Sequence, residues 1–490
     1  MNLNDYGLDT VCKMHNINPI GEYPIEWIDA CELVVPERLD LVSKLLYVDY
    51  HERRLEGTFA VELYKRDLEV CTSGTFNEYG NDAKNTFADY CKIFDAMIDE
   101  IKKTGINPKQ SIIPIDAHGV IMDGAHRTAI AAYFGQKVPV IQFDVMSPAM
   151  GAELYKKRLA RDSDIEFALT EMCKWNKDIY LCCMWPAAEN DAQREEAIKI
   201  LNNETTIFYR KTIDLSIKGL CNLIPQIYVS HSWTGGIENR FISAAPKIEG
   251  CNGKGKLDVI LFRSDSLDNV KSIKKQMRDI FGLAENSLHI TDYTSETLEL
   301  SQMLLNQNSV AFLNKADPFL FIDLNKRLHT FKQGILNSNA SLDEYIVESS
   351  SVMGLYGIRK PSDLDYLSTN KTDLDFEDET INNHEEEAIY HGRSVSDIVN
   401  DPTSYFYYFG IKFLTLDALV EFKRTRNSIK DREDLLLIND YLENKHKFRR
   451  TVVETFQTFR RKGRNAVYII LRSIPGGYDC ARAVYHFFRD

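Results

Sequence analysis

Two stretches of the chain alternate short apolar segments with longer helical patterns, and such alternation favours folds that combine strands with helices. The first stretch runs through NTFADYCKIFDAMIDEIKKTG, SIIPIDA, a short hairpin into GVIMD, AHRTAIAAYFG and KVPVIQF, with glycines 105, 119 and 135 at its turns. The second begins near residue 256 and runs through KLDVILF, DNVKSIKKQMRDIFG, SLHIT, SETLELSQMLLN and SVAFLN. We read the second as strand, helix, strand, helix, strand, which predicts parallel strands covered by helices. The predicted fold class is therefore α/β and α+β, over several domains.

Length and composition narrow the class of protein. A chain of 490 residues is too long for one ordinary core, and 44% hydrophobic with 27% charged residues is typical of a globular protein. The sequence contains no apolar run of the ~18 residues that cross a bilayer and no secretory signal pattern, so we expect a cytoplasmic protein without a membrane span. Ten scattered cysteines predict reduced thiols. A net charge of −13 makes nucleic acid an unlikely partner, and nothing constrains the oligomeric state.

Changes in pattern divide the chain into four predicted regions. Residues 1–150 form a first domain, 151–255 a mostly helical connecting region, 256–440 an α/β region, and 441–490 a basic helical segment. The span from Lys445 to Arg472 has nine Lys or Arg and one acid. A basic helix of this kind presents its charges to solvent, docks on another part of the same protein or binds a polyanion.

The turn in GVIMDGAHRTAIAAYFG is the first candidate site. Gly124 permits a tight turn, and the helix that follows presents free N–H groups that suit a phosphate. His126 and Arg127 add donors, while Asp123 serves as a base, a magnesium ligand or, in the structural alternative, a helix cap. The predicted phosphate-binding set is Gly124, Ala125, His126, Arg127 and Thr128.

This arrangement, with IPID before it and VPVI after it, resembles the ParB/sulfiredoxin superfamily over residues 35–145. DGxHR is closer to the free-serine kinase branch than to the partition proteins. The resemblance implies transfer of an ATP phosphate to a small hydroxyl substrate, with Asp123 and an early glutamate, Glu37 in VVPER, as catalytic residues. Ala125 stands where sulfiredoxin has its cysteine, which argues against sulfinic acid reduction.

The segment IVESSSVMGLYGIRKPSDLDYLS is the second candidate site. Asp363 and Asp365 are two apart, so on a strand both carboxylates point to one side. Their repulsion is relieved by a shared divalent cation, Mg²⁺ or Mn²⁺, as nucleotidyl transfer requires. The residues predicted to approach the phosphates are Ser350, Ser351, Gly354 and Arg359.

This combination resembles the nucleotidyltransferase fold. The later segment IKFLTLDALVEFKRTRNSIKDREDLLLI resembles the helical end of small nucleotidyltransferases, which implies that Lys423 holds the triphosphate; the alternative is a lysine on the wet face of an amphipathic helix. Asp373 and Asp375 are candidates for a third carboxylate, and we assign Asp375 as the third metal ligand, although their acidic run equally suits a loop. Segments DLDYLS, HEEE and NDPTSYFYYFGIKFLTLDAL look like nucleotidyltransferase-like proteins of bacterial surface-polysaccharide clusters over residues 205–440.

Several polar residues have no assigned role. Near the strand SLHIT, His289, Thr291 and Asp292 suit either a helix N-cap or a phosphate contact. His231, Lys247, His384 and Glu386 are also unassigned.

The function expected from these patterns is a bifunctional enzyme. Its first domain phosphorylates a small alcohol (a polyol, a sugar or a serine-like substrate) with ATP, and its second joins that phosphate to a nucleotide from CTP or another NTP, for surface-polysaccharide (capsule) biosynthesis. The alternative is a nucleotidyltransferase that modifies RNA or protein in a regulatory or defence role, with a nucleotide-sensing first domain. A CTP-switched DNA binder is a third possibility.

Overall fold

The computed structural model describes residues 1–77, 83–372 and 374–443. Contacts between Cα atoms group Met1–Leu419 into one compact unit, and a second unit begins at Val420. Over the described residues the protein is mixed α/β, with three separate sheets of three, four and five strands. The same residues include no helix with the length and apolar character that crossing a bilayer requires.

The first sheet belongs to the N-terminal part of the chain and has the order β1-β3-β2. Strand β3 pairs antiparallel with β1 and parallel with β2. The strands are β1 (Glu26–Asp29), β2 (Ile113–Ile115) and β3 (Lys137–Gln142). The helices of this part are α1 (Asp9–His15), α2 (Asp40–Arg53), α3 (Phe59–Cys71), α4 (Phe87–Thr104) and α5 (Ala125–Tyr133). The predicted series of helix, strand, hairpin, helix and strand is confirmed, including a bridge between Ile115 and Ile121 in the hairpin.

The second sheet has the order β5-β6-β4-β7 and lies in the central part of the chain. Its strands are β4 (Ile179–Met184), β5 (Thr206–Ile213), β6 (Leu257–Arg263) and β7 (Leu288–Ile290). The accompanying helices are α6 (Ala152–Lys157), α7 (Asp162–Trp175), α8 (Asp191–Glu204), α9 (Ile217–Ile227), α10 (Ala245–Cys251), α11 (Leu267–Phe281), α12 (Thr294–Leu304) and α13 (Gln307–Lys315).

Two predictions for this sheet are wrong. We predicted a sheet of parallel strands; β6 and β7 do run in the same direction, but β4 lies between them, and all three pairings of the sheet are antiparallel. Strands β4 and β5 come from the region 151–255, which we predicted to be mostly helical, so that region contributes half of the sheet. The segment SVAFLN is also not a strand but part of α13, whose first turn is capped by the Asn306 side chain. A short apolar run fits a buried strand and a buried helical turn equally well.

The third sheet has the order β10-β9-β8-β12-β11 and carries the second candidate site. Strand β9 pairs antiparallel with β8 and parallel with β10, while β12 pairs parallel with β8 and antiparallel with β11. The strands are β8 (Tyr345–Glu348), β9 (Leu364–Ser368), β10 (Ile381–Asn383), β11 (Tyr405–Tyr408) and β12 (Ile411–Leu414). The helices of this part are α14 (Ile322–Asn337), α15 (Ser349–Leu355) and α16 (Val395–Asn400), with a 3-10 helix over Glu385–His391. Helix α17 (Leu416–Arg426) follows β12 in the chain and includes the boundary between the two units.

The second unit is described up to residue 443, and it contains α18 (Ile429–Leu442). Helix α18 begins at a capping box between Ser428 and Asp431. The predicted helical end after Leu416 is confirmed over the described residues. The predicted basic segment 441–490 lies outside them from 444 onward.

Helix α3 is capped by a residue far away in the sequence. The backbone N–H groups of Thr58 and Phe59 donate to Asp397 Oδ1 at 2.9 and 2.7 Å, and Thr58 also donates to Oδ2 at 3.1 Å. Thr58 itself makes no side-chain cap. Asp397 of α16 therefore satisfies N–H groups that a helix start leaves unpaired.

A path of hydrogen bonds joins α5 to the end of β9. Tyr133, the last residue of α5, donates to Asp49 Oδ1 at 2.9 Å, and Arg53 Nη1 donates to Asp49 Oδ2 at 3.4 Å. Arg53 Nη2 donates to the carbonyl oxygen of Thr369 at 3.0 Å and forms an ion pair with Glu344 at 2.8 Å. Because Thr369 directly follows β9, the two candidate sites are built on elements that share one hydrogen-bonded path.

Candidate functional site

The turn at Gly124 is built as the sequence predicts, between the hairpin and α5. Gly124 has φ +90°, and a Cβ atom there would lie 2.6 Å from Ile113 Cδ1. Only glycine combines that backbone conformation with so close a neighbour. Arg127 Nη2 donates to Asp123 Oδ2 at 3.2 Å, and Arg127 Nη1 donates to the hydroxyl of Ser111. Asp123 is thus held by Arg127 rather than used as a helix cap, since α5 has no side-chain cap.

His126 points into a group of aromatic rings. Its Nε2 lies 2.7 Å from the Tyr64 hydroxyl, and its ring packs edge-on against Phe94 at a centroid distance of 4.7 Å. Burial, together with the charges of Lys44 and Lys84, holds the pKa of His126 well below its ordinary value. The ring is therefore neutral at neutral pH and offers one donor and one acceptor.

The other predicted residues of this site have different surroundings. Ala125 is partly buried. Thr128 is fully buried, and its hydroxyl has no hydrogen-bond partner among the described residues. Glu37 forms an ion pair with Arg263 of β6 at 3.5 Å, and no hydrogen bond found among the described residues joins it to the turn. The structure therefore brings Asp123 and Arg127 together but pairs Glu37 with the central sheet.

The two aspartates of the second site lie at the start of β9. Asp365 is the cross-strand neighbour of Glu348, the last residue of β8. Ser350 Oγ donates to Asp363 Oδ1 at 2.9 Å, and Ser351 Oγ donates to the Asp363 carbonyl oxygen at 3.1 Å. Burial and the charge of Asp363 raise the pKa of Asp365. The pair thus has the electrostatic repulsion that a divalent cation relieves.

Glu348 is a third carboxylate at this edge, and it already has partners. Its side chain is fully buried, with His384 Nδ1 2.5 Å from Oε1 and His391 Nε2 2.6 Å from Oε2. Burial alone would raise the pKa of Glu348, but the hydrogen bonds from the two histidines lower it. Burial alone would lower the pKa of His384, but the hydrogen bond to Glu348 and the negative charge of Glu348 raise it. A carboxylate with two imidazoles therefore stands beside Asp365.

The backbone between Glu348 and α15 is unusual. Ser349 has φ +55°, in the left-handed region that non-glycine residues rarely adopt, and it is 4% exposed. Its buried side chain acts on the neighbouring Asp365 carboxylate and opposes the rise in the pKa of that group that burial and Asp363 cause. Strained backbone of this kind occurs preferentially at functional sites.

The remaining predicted residues of this site are spread out. Gly354 is buried inside α15, where a Cβ atom would lie 2.8 Å from both Leu324 and Pro361, so it serves close packing. Arg359 is partly exposed, and Asp375 is exposed with no hydrogen bond or ion pair among the described residues. Asp373 lies outside the described residues.

Asp363 and Asp365 suit a magnesium ion that is completed by substrate. The described residues contain no group of three or more His, Cys, Asp or Glu side chains placed to hold a metal ion together. Magnesium is usually held in phosphoryl-transfer enzymes by one or two carboxylates, with phosphate oxygens and water completing the shell. The two aspartates, with the raised pKa of Asp365, fit that requirement.

Lys423 lies in the second unit and is 2% exposed. Its Nζ is 2.8 Å from Asp434 Oδ2 and 3.2 Å from Asp431 Oδ1. Burial alone would raise the pKa of Asp431. Hydrogen bonds from Arg426 and Ser428 and the charge of Lys423 nevertheless hold that pKa well below its usual range. Asp431 is thus a charged partner of the lysine, and the buried position of Lys423 rules out the alternative of a lysine on the solvent-exposed face of its helix.

Comparison of the chain with protein-family models, curated proteins and solved structures finds no match. A function for this chain is therefore inferred from the geometry of its own residues.

Sequence reasoning missed the role of Glu348 and His391 and left His384 unassigned. The sequence offers a weak signal, since two histidines flank the acidic run EEE after β10. Their common partner Glu348 is revealed only by the pairing of β8 with β9, which no local pattern specifies.

Proposed function

We propose that the third sheet carries a metal-dependent nucleotidyl-transfer centre of the nucleotidyltransferase fold. The observation that carries the proposal is the pair Asp363 and Asp365 at the start of β9, next to Glu348 on the antiparallel strand β8. Strand β8 and helix α15 precede the pair in the chain, and strand β9 carries it, which supports this proposal. A Mg²⁺ or Mn²⁺ ion held by the two aspartates would neutralise the triphosphate of an incoming NTP.

The chain's own residues have distinct roles in this proposal. Asp363 is fixed by Ser350 and Ser351, so these serines position a metal ligand as well as lying near the phosphates. Glu348 fixes two imidazoles beside Asp365, which supplies donors near the site of bond formation. The ion pairs of Lys423 with Asp431 and Asp434 favour a structural role for that lysine. Rate acceleration would come from positioning and charge neutralisation.

We further propose that the N-terminal part is a ParB/sulfiredoxin-like kinase. Its support is the built turn at Gly124, where Arg127 holds Asp123 and a neutral His126 is fixed by Tyr64. In the first step a small alcohol attacks the γ-phosphate of ATP, and the products are its phosphate ester and ADP. In the second step that ester attacks the α-phosphate of an NTP, with CTP favoured, and pyrophosphate leaves. The nucleotide-activated alcohol would serve surface-polysaccharide synthesis.

The experiment is a screen of each NTP with Mg²⁺, in which pyrophosphate release is measured with polyols, sugars, serine and their phosphates as acceptors. We expect release that depends on one acceptor phosphate, and we expect Asp363→Asn and Asp365→Asn to reduce it by at least about 100-fold. Asp123→Asn should abolish use of the free alcohol with ATP and leave use of its phosphate intact.

Two comparisons make the screen decisive. Asp417→Asn, an exposed carboxylate at the start of α17, should leave release unchanged, and Asp375→Asn tests the predicted third ligand. Label transferred to tRNA or protein in place of a small acceptor would overturn the proposed substrate class. Unchanged release in both Asp363→Asn and Asp365→Asn would overturn the site.

A further inference from the structure

A second group of polar and aromatic side chains surrounds Tyr228, which directly follows α9 in the central part of the chain. It belongs to neither site described above, and it contains residues to which the sequence gives no role. We call it the Tyr228 cluster; its members are Tyr228, His231, Trp233, Lys247, Arg278 and His289.

Tyr228 is fixed by a histidine that is fixed in turn by a carboxylate. His289 Nδ1 lies 3.2 Å from the Tyr228 hydroxyl, and His289 Nε2 lies 2.8 Å from Glu296 Oε1. Burial lowers the pKa of His289, so the ring is neutral and has one N–H. Because a carboxylate only accepts, Nε2–H donates to Glu296 and Nδ1 accepts from the tyrosine hydroxyl. The orientation of Tyr228 is therefore determined by buried partners.

Lys247 and Arg278 are the two basic side chains of the cluster, and their hydrogen-bond acceptors are neutral carbonyl and amide oxygens. Lys247 Nζ lies 6.0 Å from the centroid of the Tyr228 ring, and it donates to the Glu285 carbonyl oxygen and to Asn286 Oδ1 at 2.5 and 3.2 Å. Burial lowers the pKa of Lys247, while the neighbouring Cys251 thiol and, at longer range, the exposed Glu285 carboxylate raise it. Burial raises the pKa of Cys251 to about 11, so this neighbour is a neutral thiol at neutral pH.

Arg278 has an unused buried donor. Its Nη2 donates to the Leu288 carbonyl oxygen at 3.2 Å, while its Nε is buried with no partner among the described residues. Leu288 is the neighbour in sequence of His289, which bonds Tyr228, so Arg278 is bound to the same strand as the partner of the tyrosine. The charge of Arg278 also acts on both Tyr228 and Lys247. An anion would stabilise this site, because it would supply a counter-charge to the two basic side chains. It would also offset the cost of leaving a buried N–H group without an acceptor.

The outer side of the cluster presents flat rings to solvent. The Trp233 ring centroid lies 5.3 Å and the His231 centroid 5.6 Å from that of Tyr228. Trp233 is 43% exposed, although indole side chains are usually covered. The exposed indole of Trp233 belongs to the same cluster as the two basic side chains, Lys247 and Arg278. This combination suits a ligand that has both a phosphate and a ring.

We propose that the Tyr228 cluster binds an organic phosphate that contains a ring, as sugar phosphates and nucleotides do. Its phosphate contacts Lys247 and Arg278, and its ring stacks on Trp233. This is a third ligand site, independent of the DxD pair and of the Gly124 turn.

The test is calorimetric titration of the full chain without divalent cation, in a background that carries Arg127→Leu and Asp363→Asn so that the two sites proposed above do not contribute. The probes are glucose 1-phosphate, CMP, glucose and inorganic phosphate. We expect glucose 1-phosphate or CMP to bind at one site per chain, and the preferred probe identifies the ring. Trp233→Leu and Lys247→Met should each weaken that binding by at least about ten-fold.

Matched controls are Trp27→Leu, which removes another exposed indole, 48% exposed on β1, and Lys256→Met, which removes an exposed lysine of the central region. Both should bind like the background protein, and unfolding temperatures of all variants check the fold. The proposal is overturned if neither glucose 1-phosphate nor CMP binds, or if inorganic phosphate binds as tightly as both. It is also overturned if Trp233→Leu and Lys247→Met bind as the controls do.

Discussion

The fully buried carboxylate of Glu348 gives the sharpest test of the electrostatics at the DxD edge. Glu348→Gln keeps the shape of the side chain, but the amide NH₂ then faces one of the two imidazole N–H groups. At least one hydrogen bond to a charged group is lost, worth about 1.5–3 kcal/mol, and the protonated ring loses its counter-charge. Breaking a buried pair of this kind costs roughly 3–5 kcal/mol. We therefore expect a loss of about 3 kcal/mol in the free energy of unfolding when His384 is charged.

The pH dependence follows from the directions of the two pKa shifts. The pKa of Glu348 is lowered, so its contribution is present above the ordinary glutamate value of 4.5 and is lost as the pH falls through the lowered value. The pKa of His384 is raised, so its contribution is present below the ordinary value of 6.5 and is lost as the pH rises through the raised value. The difference between wild type and Glu348→Gln should be greatest between pH 4.5 and 6.5.

Urea unfolding at pH 5.5 and at pH 9 measures this difference, with Glu386→Gln as the control because its carboxylate is exposed in the adjoining 3-10 helix. The control should change stability by no more than about 0.5 kcal/mol at either pH. Equal losses for Glu348→Gln at both pH values, or a loss no larger than that of the control, would refute the buried ion cluster.

Three further substitutions test other parts of the structure by urea unfolding. Gly124→Ala should cost about 2–4 kcal/mol through backbone strain and contact with Ile113, whereas Gly119→Ala, also at positive φ but with no neighbour within 4 Å, should cost only about 1–2; equal costs would contradict the close approach. Asp397→Ala should cost about 1–2 kcal/mol and Asp397→Asn less, because the amide oxygen still caps α3; no loss in the alanine variant would refute the cap. Lys423→Met removes the buried lysine from Asp434 and from Asp431, although Asp431 keeps its bonds from Arg426, and should cost about 3–5 kcal/mol, while the exposed Lys430→Met should be nearly neutral; similar losses would contradict the ion pairs.

Local sequence patterns were sufficient to predict the elements whose ends are marked by turn residues. The stretch from α4 to β3 was predicted because Gly105, Gly119 and Gly135 mark its turns and because its helical and strand segments follow one another in a regular series. The strand that carries Asp365 was predicted for a similar reason, and Asp363 directly precedes it; that the two carboxylates bind a metal ion stays a prediction.

What could not be predicted depends on partners distant in sequence. Strands β4 and β5 lie in a region that reads as helical, and their insertion beside β6 turned an expected parallel sheet into an antiparallel one. The place of Glu348 at the candidate site depends on its neighbours Asp365, His384 and His391. Strand pairing brings Asp365 beside it, and the segment after β10 brings the two histidines into hydrogen-bond distance. Such relations are set by tertiary packing and not by any local period.

The cap that Asp397 provides for α3 bears on how the protein can be divided. Together with the bonds from Tyr50 to Ser396 and from Arg53 to Thr369, it joins α2 and α3 to α16 and to the residue that follows β9. A fragment cut near residue 150 would leave the first N–H groups of α3 without this cap. The two proposed catalytic halves, although each suggests a separable module in sequence, are therefore expected to depend on each other for full stability.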